Sequence, residues 1–164
     1  MRARQGLAAC SWELGEHKEV IEHYQEMLEL NPSDNQGIRY ELAGCLLDED
    51  SGEELGRLLE HHEEDASAFW LYTHALLAFC EGVTEKATIA LEEAMETNPY
   101  VPLYLLGRRS FLAEGLPELI GFGDESEAVA YFVRSLTGWL GTPSDLEWLR
   151  GNADEDYLAE LEEE

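Results

Sequence analysis

The chain repeats itself. Leu14-Gly15, Tyr24, Met27 and Asn31-Pro32 return as Glu81-Gly82, Leu91, Ala94 and Asn98-Pro99, two units of about 34 residues later. A period of that length belongs to stacked helical hairpins, since one hairpin cannot bury its apolar face without a neighbour. The expected class is all-α: a helical-hairpin solenoid of about three to four units followed by C-terminal helices. Such a fold points to a binding surface before it points to a reaction.

The 164 residues are enough for one domain with a real core, and with 45% hydrophobic residues burial can outweigh chain entropy. A single domain spanning 1–164 is the expectation. It divides by phase into units at 1–34, 35–66 and 67–99, a degenerate fourth unit at 100–140 interrupted by an insertion at 108–123, and helices over 142–164. The net charge is −26, from 36 acidic and 10 basic residues. A field of that sign repels a phosphate backbone and excludes nucleic acid as the expected partner. It attracts basic proteins or peptides, and it also keeps the chain soluble.

Cys10, Cys45 and Cys80 are 35 residues apart, one on the first helix of each successive unit. They read as small core residues; an odd count without ligand spacing fits neither a disulfide framework nor a zinc site, and a reducing, cytoplasmic setting follows. Glu13, Glu16, Glu19, Glu22, Glu26 and Glu29 leave no apolar stretch for a signal peptide in the first thirty residues. The longest run without formal charge, Ala66 to Cys80, is too short to span a bilayer.

Helix starts can be read from capping chemistry. Ser33 with Gln36, Ser51 with Glu54, Asp65, Asp124 with Glu127, Thr142-Pro143 with Asp145, and Asn152 with Glu155 are the expected caps. Gly121-Phe122-Gly123 is the hinge before the Asp124 cap. The last helix carries Tyr157, Leu158 and Leu161 on one side and ends in Glu162-Glu163-Glu164, where acids oppose the helix dipole and favour fraying.

Small residues at Ala8, Ala43 and Ala75, turns at Gly15 and Gly82, Ala87 and Ala94 in the third return helix, and Pro32 and Pro99 at unit ends resemble the tetratricopeptide repeat (TPR) family. The match covers about Met1 to Pro99, by motif in the first and third units and by phase in the second. The stretch Asn98 to Leu106, then Gly123 to Tyr131 and Trp139, is similar to the conserved end of the suppression-of-tumorigenicity-seven family. That family's animal members are thought to carry a membrane segment; this sequence shows none and resembles a soluble relative or an excised domain.

The TPR resemblance places the first helices along a concave groove, lined here by Arg2, Gln5, Ala9 and Trp12, then Gly37, Tyr40, Gly44 and Leu47, then Phe69, Tyr72, Leu76 and Phe79. The lysine, asparagine and arginine clamp of chaperone-tail-binding members is missing. Expected anchors for a peptide or protein are Trp12, Tyr40, Phe69, Tyr72 and Leu76, with Arg108 and Arg109 at the groove end either holding an acidic group or pairing with the chain's own carboxylates.

The helix from Ser67 to Cys80 is apolar all round, which an open wet groove does not permit. Something covers it: a partner, or the C-terminal segment with Trp139, Trp148 and Leu149. The function expected is therefore a non-enzymatic protein-protein interaction module, with an alternative in which the groove is self-filled and the chain is a structural or assembly domain of a larger protein, monomeric or weakly dimeric. No phosphate loop, nucleophile elbow or Cys–His pair stands in the sequence, so no catalytic residue, cofactor or membrane contact is expected. His61-His62-Glu63-Glu64-Asp65 is the nearest thing to a metal cluster, but adjacent residues on a helix point too far apart to converge on one ion. His74 reads as a core histidine with a satisfied hydrogen bond.

Overall fold

A computed structural model describes residue 12, residues 14–110, residue 117 and residues 119–162. The expectations for Arg2, Gln5, Ala9 and Cys10, for the first helix of the first unit and for Glu163-Glu164 lie outside these residues. Every regular element among the described residues is a helix: α1 (His17–Leu30), α2 (Ile38–Asp48), α3 (Gly52–His61), α4 (Ala68–Cys80), α5 (Thr84–Thr97), α6 (Val101–Leu105), α7 (Glu125–Trp139), α8 (Pro143–Asn152) and α9 (Glu155–Glu162). Where the sequence suggests one domain, contacts divide the chain into two compact units, Met1–Leu58 and Leu59–Glu164, with the boundary inside α3. No helix among the described residues is long and apolar enough to cross a membrane.

In the N-terminal unit α1 packs on α2, burying Val20, Tyr24 and Met27 of the first and Ile38, Leu42, Ala43 and Leu46 of the second. The start of α2 differs from the Ser33–Gln36 expectation. Asp34, 4% exposed, accepts from the Ile38 N–H at 2.7 Å and the Arg39 N–H at 3.1 Å, and its carboxylate also holds the Arg39 guanidinium at 2.9 Å. A carboxylate satisfies these orphan amides and pairs a cation as well, which a serine hydroxyl cannot do.

The C-terminal unit is built around α4, which buries nine of its thirteen residues. A three-residue turn at Glu81–Val83 folds α5 back against it; Gly82 sits at φ +78, a backbone region open to glycine at little cost. Ser67, rather than Asp65, caps α4 by accepting from the Trp70 N–H at 3.3 Å, while Asp65 accepts from the Ser67 N–H at 3.0 Å. The aspartate thus braces the cap and does not make it.

Helix α7 packs on α4 and α6, α8 packs on α4 and α6, and α9 on α6. Asp124 caps α7 as expected, accepting from the Ser126 and Glu127 N–H groups at 2.8 and 3.2 Å. A β-carbon at Gly121 would overlap the Asp124 carboxylate, so glycine is needed for that close approach. Thr142 and Asp145 join at the start of α8, with the Thr142 N–H donating to Asp145 at 2.9 Å. The cap of α9 moves from Asn152 to Asp154, which accepts from the Asp156 and Tyr157 N–H groups at 2.9 and 3.1 Å. Asn152 instead closes α8, donating to the Trp148 carbonyl at 2.8 Å. Leu158 and Leu161 are buried, but Tyr157 is 47% exposed and leaves the expected apolar side.

Candidate functional site

The uncharged helix α4 is covered from within. Phe69 meets the Tyr131 ring of α7 edge-on at 5.0 Å between centroids, Tyr72 lies 5.6 Å from the same ring, and Phe79 stacks on Trp148 of α8 at 4.4 Å and 8°. Trp139, fully buried, donates its indole N–H to the Tyr131 hydroxyl at 2.8 Å, and its ring lies parallel to Trp148 at 6.3 Å. Leu149 of α8 is also fully buried.

The expected anchors fall in different settings. Phe69, Tyr72 and Leu76 are 6%, 0% and 0% exposed, so as folded they offer a partner no surface. The cause is that α7 returns across α4 and fills the side that the groove expectation leaves to a ligand. In the N-terminal unit Tyr40 is half-buried, its ring face covered by the Arg39 guanidinium at 4.4 Å and its hydroxyl accepting from Arg39 at 2.8 Å. Trp12 stacks on His17 at 4.0 Å and 17°, and His17 Nδ1 bonds the Glu49 carboxylate at 2.6 Å.

Arg108 and Arg109 pair with the chain's own acids. Arg108 engages Glu155 and, at 3.2 Å, Glu162, both on α9. Arg109 engages Glu125 and donates to the Leu161 carbonyl at 2.7 Å.

Beneath the aromatic layer lies a polar hub that the sequence pattern does not announce. The Glu127 carboxylate, on a residue 6% exposed, accepts from the Ala68 N–H at 3.0 Å, the Gly123 N–H at 2.8 Å and the Asn98 side-chain amide at 3.0 Å. Asn98, fully buried, also donates to the Asp124 carbonyl at 2.9 Å, and its backbone carbonyl accepts from the Tyr72 hydroxyl at 2.8 Å. Glu127 therefore reaches Gly123 rather than Asp124, one residue short of the expected reciprocal cap. Its other oxygen ties the first turn of α4 to α7. The signal available in sequence was the pairing of Asn98-Pro99 with the Asp124 cap, but nothing in the order of residues says that the two meet.

The core readings of Cys45, Cys80 and His74 are corrected. Cys45 is half-buried and Cys80 exposed, so neither is a core residue; burial, with Asp48 adding to it, pushes the Cys45 thiol up to about 12. His74 is half-exposed rather than a core residue, and burial followed by the Lys86 charge holds it below its ordinary range. His61 and His62 meet edge-on at 4.9 Å, and among the described residues no group of three or more histidine, cysteine or acidic side chains is placed to hold a metal ion.

The buried phenols give the site a pH dependence. Burial raises Tyr131 to about 12 and holds Tyr72 well above its ordinary range, with Tyr131 and Glu127 adding to the effect on Tyr72. An unfolded tyrosine ionises at about pH 10, so above that value the unfolded chain binds fewer protons than the folded one and stability falls as pH rises. The contribution is complete below about pH 10, and Tyr131 alone is expected to forfeit about 2–3 kcal/mol on approaching pH 12. Urea unfolding at about pH 8 and about pH 11.5 measures this, and Tyr131→Phe should flatten the slope between them.

No family model matches the chain. It is similar to the Suppressor of tumorigenicity 7 protein-like protein of Rattus norvegicus, 29% identical over 156 residues that cover 83% of this chain and 28% of that protein. The Homo sapiens protein of the same description is 29% identical over 157 residues, covering 83% and 27%. The Danio rerio protein is 29% identical over 157 residues, covering 83% and 28%. The alignments support distant homology to Suppressor of tumorigenicity 7 protein-like proteins, and the chain spans little more than a quarter of their length.

Proposed function

We propose that the chain is a non-enzymatic, TPR-like helical domain that serves as a structural and assembly unit of a larger protein, with the face expected to bind a peptide filled by its own C-terminal helices. The observation that carries this reading is the complete burial of Tyr72 and Leu76 beneath α7. The TPR-like part draws on the α4–α5 hairpin, on Gly15 and Gly82 at positive φ in equivalent turns, and on α5 (Thr84–Thr97), which repeats the length and bounds of α1 (His17–Leu30) at one constant offset. Alignment to little more than a quarter of each relative agrees with a unit inside a larger architecture. Apolar side chains left for a protein partner include Leu119, Ile120 and Phe122, which are 86%, 55% and 69% exposed on the loop before α7. The −26 charge selects basic over acidic partners at low salt.

Deleting Gly141 to Glu164 tests the filled face. The deletion removes Trp148 from Phe79 and Leu158 and Leu161 from Leu103, so the shortened chain is expected to bind several-fold more hydrophobic dye and to self-associate with concentration. A shortened chain that stays monomeric in light scattering and binds no more dye than the full chain would overturn the reading.

A further inference from the structure

Three large apolar side chains stand in water together on the loop before α7. Leu119, Ile120 and Phe122 are all exposed, whereas the other exposed large apolar side chains among the described residues, Leu30, Ile89 and Leu140 among them, stand singly along the chain. Isolated exposed leucines are ordinary on a protein surface, but three such side chains within four residues make a patch. The base of the loop is fastened. The Gly121 N–H donates to the Ser126 hydroxyl at 2.8 Å, the Gly123 N–H to the Glu127 carboxylate at 2.8 Å, and the Ser126 hydroxyl to Asp124 at 2.5 Å. Polar groups at the base are thus satisfied internally while the apolar side chains are left out, and a loop ordered in advance loses little freedom on binding.

A carboxylate stands beside the patch. Gly121, between Ile120 and Phe122, lies so near the Asp124 carboxylate that a β-carbon would overlap it. Asp124 is exposed, and the Ser126 hydroxyl beside it holds its carboxyl below the usual carboxylate range, so it is charged at neutral pH. No lysine or arginine occurs in the sequence between Arg109 and Arg134. The loop therefore offers apolar surface and negative charge, with no cation of its own to offset it.

We infer that Leu119, Ile120 and Phe122, with Asp124 beside them, form a docking surface for a basic amphipathic helix of another protein. The apolar stripe of such a helix covers the three side chains, and its lysines or arginines meet Asp124 and the field of a chain whose net charge is −26. A second copy of this chain brings the same charge and the same carboxylate, and is repelled. A lipid surface is disfavoured too, because segments that lie in a headgroup layer carry lysine and arginine around their apolar side chains, and this loop carries a carboxylate. The inference rests on the reading of the chain as an assembly unit and names the chemistry of what it assembles with.

The probe is a fluorescent synthetic helix of about 18 residues, leucine on one face and lysine on the other, read by anisotropy against the full chain at about 50 mM salt. Leu119→Ser, Ile120→Ser and Phe122→Ser in one variant are expected to weaken binding at least about tenfold, since apolar anchors carry most of the energy of an interface. Asp124→Asn, which keeps a good helix cap, is expected to weaken it about threefold, and a probe with glutamate for lysine is expected not to bind. Circular dichroism and urea unfolding check that the variants fold; if the triple variant does not, Phe122→Ser alone replaces it, with about fivefold expected. Equal affinity of the parent and the folded patch variant would show a probe held by charge alone and overturns the inference. So does a glutamate probe that binds as tightly as the lysine one. Sedimentation of the parent with phosphatidylcholine vesicles, lost in the patch variant, overturns it in favour of lipid. None of these results touches the filled face of α4, which is read from the deletion of Gly141 to Glu164.

Discussion

Glu127→Ala is expected to lower the unfolding free energy by about 3–5 kcal/mol, because it strips one acceptor from three donors at once. The Ala68 N–H, the Gly123 N–H and the Asn98 amide all end on that carboxylate, and Asn98 is fully buried, so water has little access to replace it. Each buried donor left without a partner costs about 1–3 kcal/mol. Glu127→Gln separates shape from chemistry. One glutamine terminus is a donor, and both carboxylate oxygens face donors, so either rotamer sets N–H against N–H. The glutamine variant is therefore expected to lose about 2 kcal/mol although its size is unchanged. Urea unfolding of the three proteins at one pH reads both values. A glutamine variant as stable as the parent would show that the hub holds by packing alone.

The hub also explains why part of this architecture was legible in sequence and part was not. Helix existence and order followed from period and caps, since 3.6-residue patterning and turn glycines act over a few residues. Caps were hardest to place where carboxylates compete with hydroxyls and amides. Asp34 displaced Ser33, and Asp154 displaced Asn152, because each bridges two consecutive N–H groups at a helix start. Asp65 lost its place to Ser67, a shift of two residues set by where α4 meets Glu127.

Side-chain fate depended on what arrives from far along the chain. A helix without charges, Ser67 to Cys80, signalled that both of its sides are covered, and that inference needed only its composition. Which residues do the covering needed tertiary structure: Tyr131, more than fifty residues beyond Phe69 and Tyr72, is what turns expected anchors into interior side chains. The same reasoning applies to Arg108 and Arg109. Their scarcity in an acidic chain pointed to internal pairing, but only the fold shows that the acids come from α9 for Arg108 and from α7 for Arg109.

Trp139→Ala should be the most damaging single change in the aromatic layer, with an expected loss of about 3–5 kcal/mol. The indole is fully buried and its N–H fixes the Tyr131 hydroxyl at 2.8 Å. Tyr131 in turn is the ring on which both Phe69 and Tyr72 rest, so the cavity opened by alanine is transmitted to the face of α4. Trp139→Phe keeps most of the apolar volume and removes the donor, and about 1–2 kcal/mol is expected for that change. The two variants then differ in a way that bears on the filled face. If α7 is held over α4 mainly by this layer, the alanine variant binds hydrophobic dye while still helical, as local packing fails before the helices do. The phenylalanine variant stays dark to the dye, since Tyr131 keeps its ring contacts. Equal dye binding by the two would place the restraint on α7 in the Glu127 hub instead, where the carboxylate ties its first turn to Ala68 and Asn98.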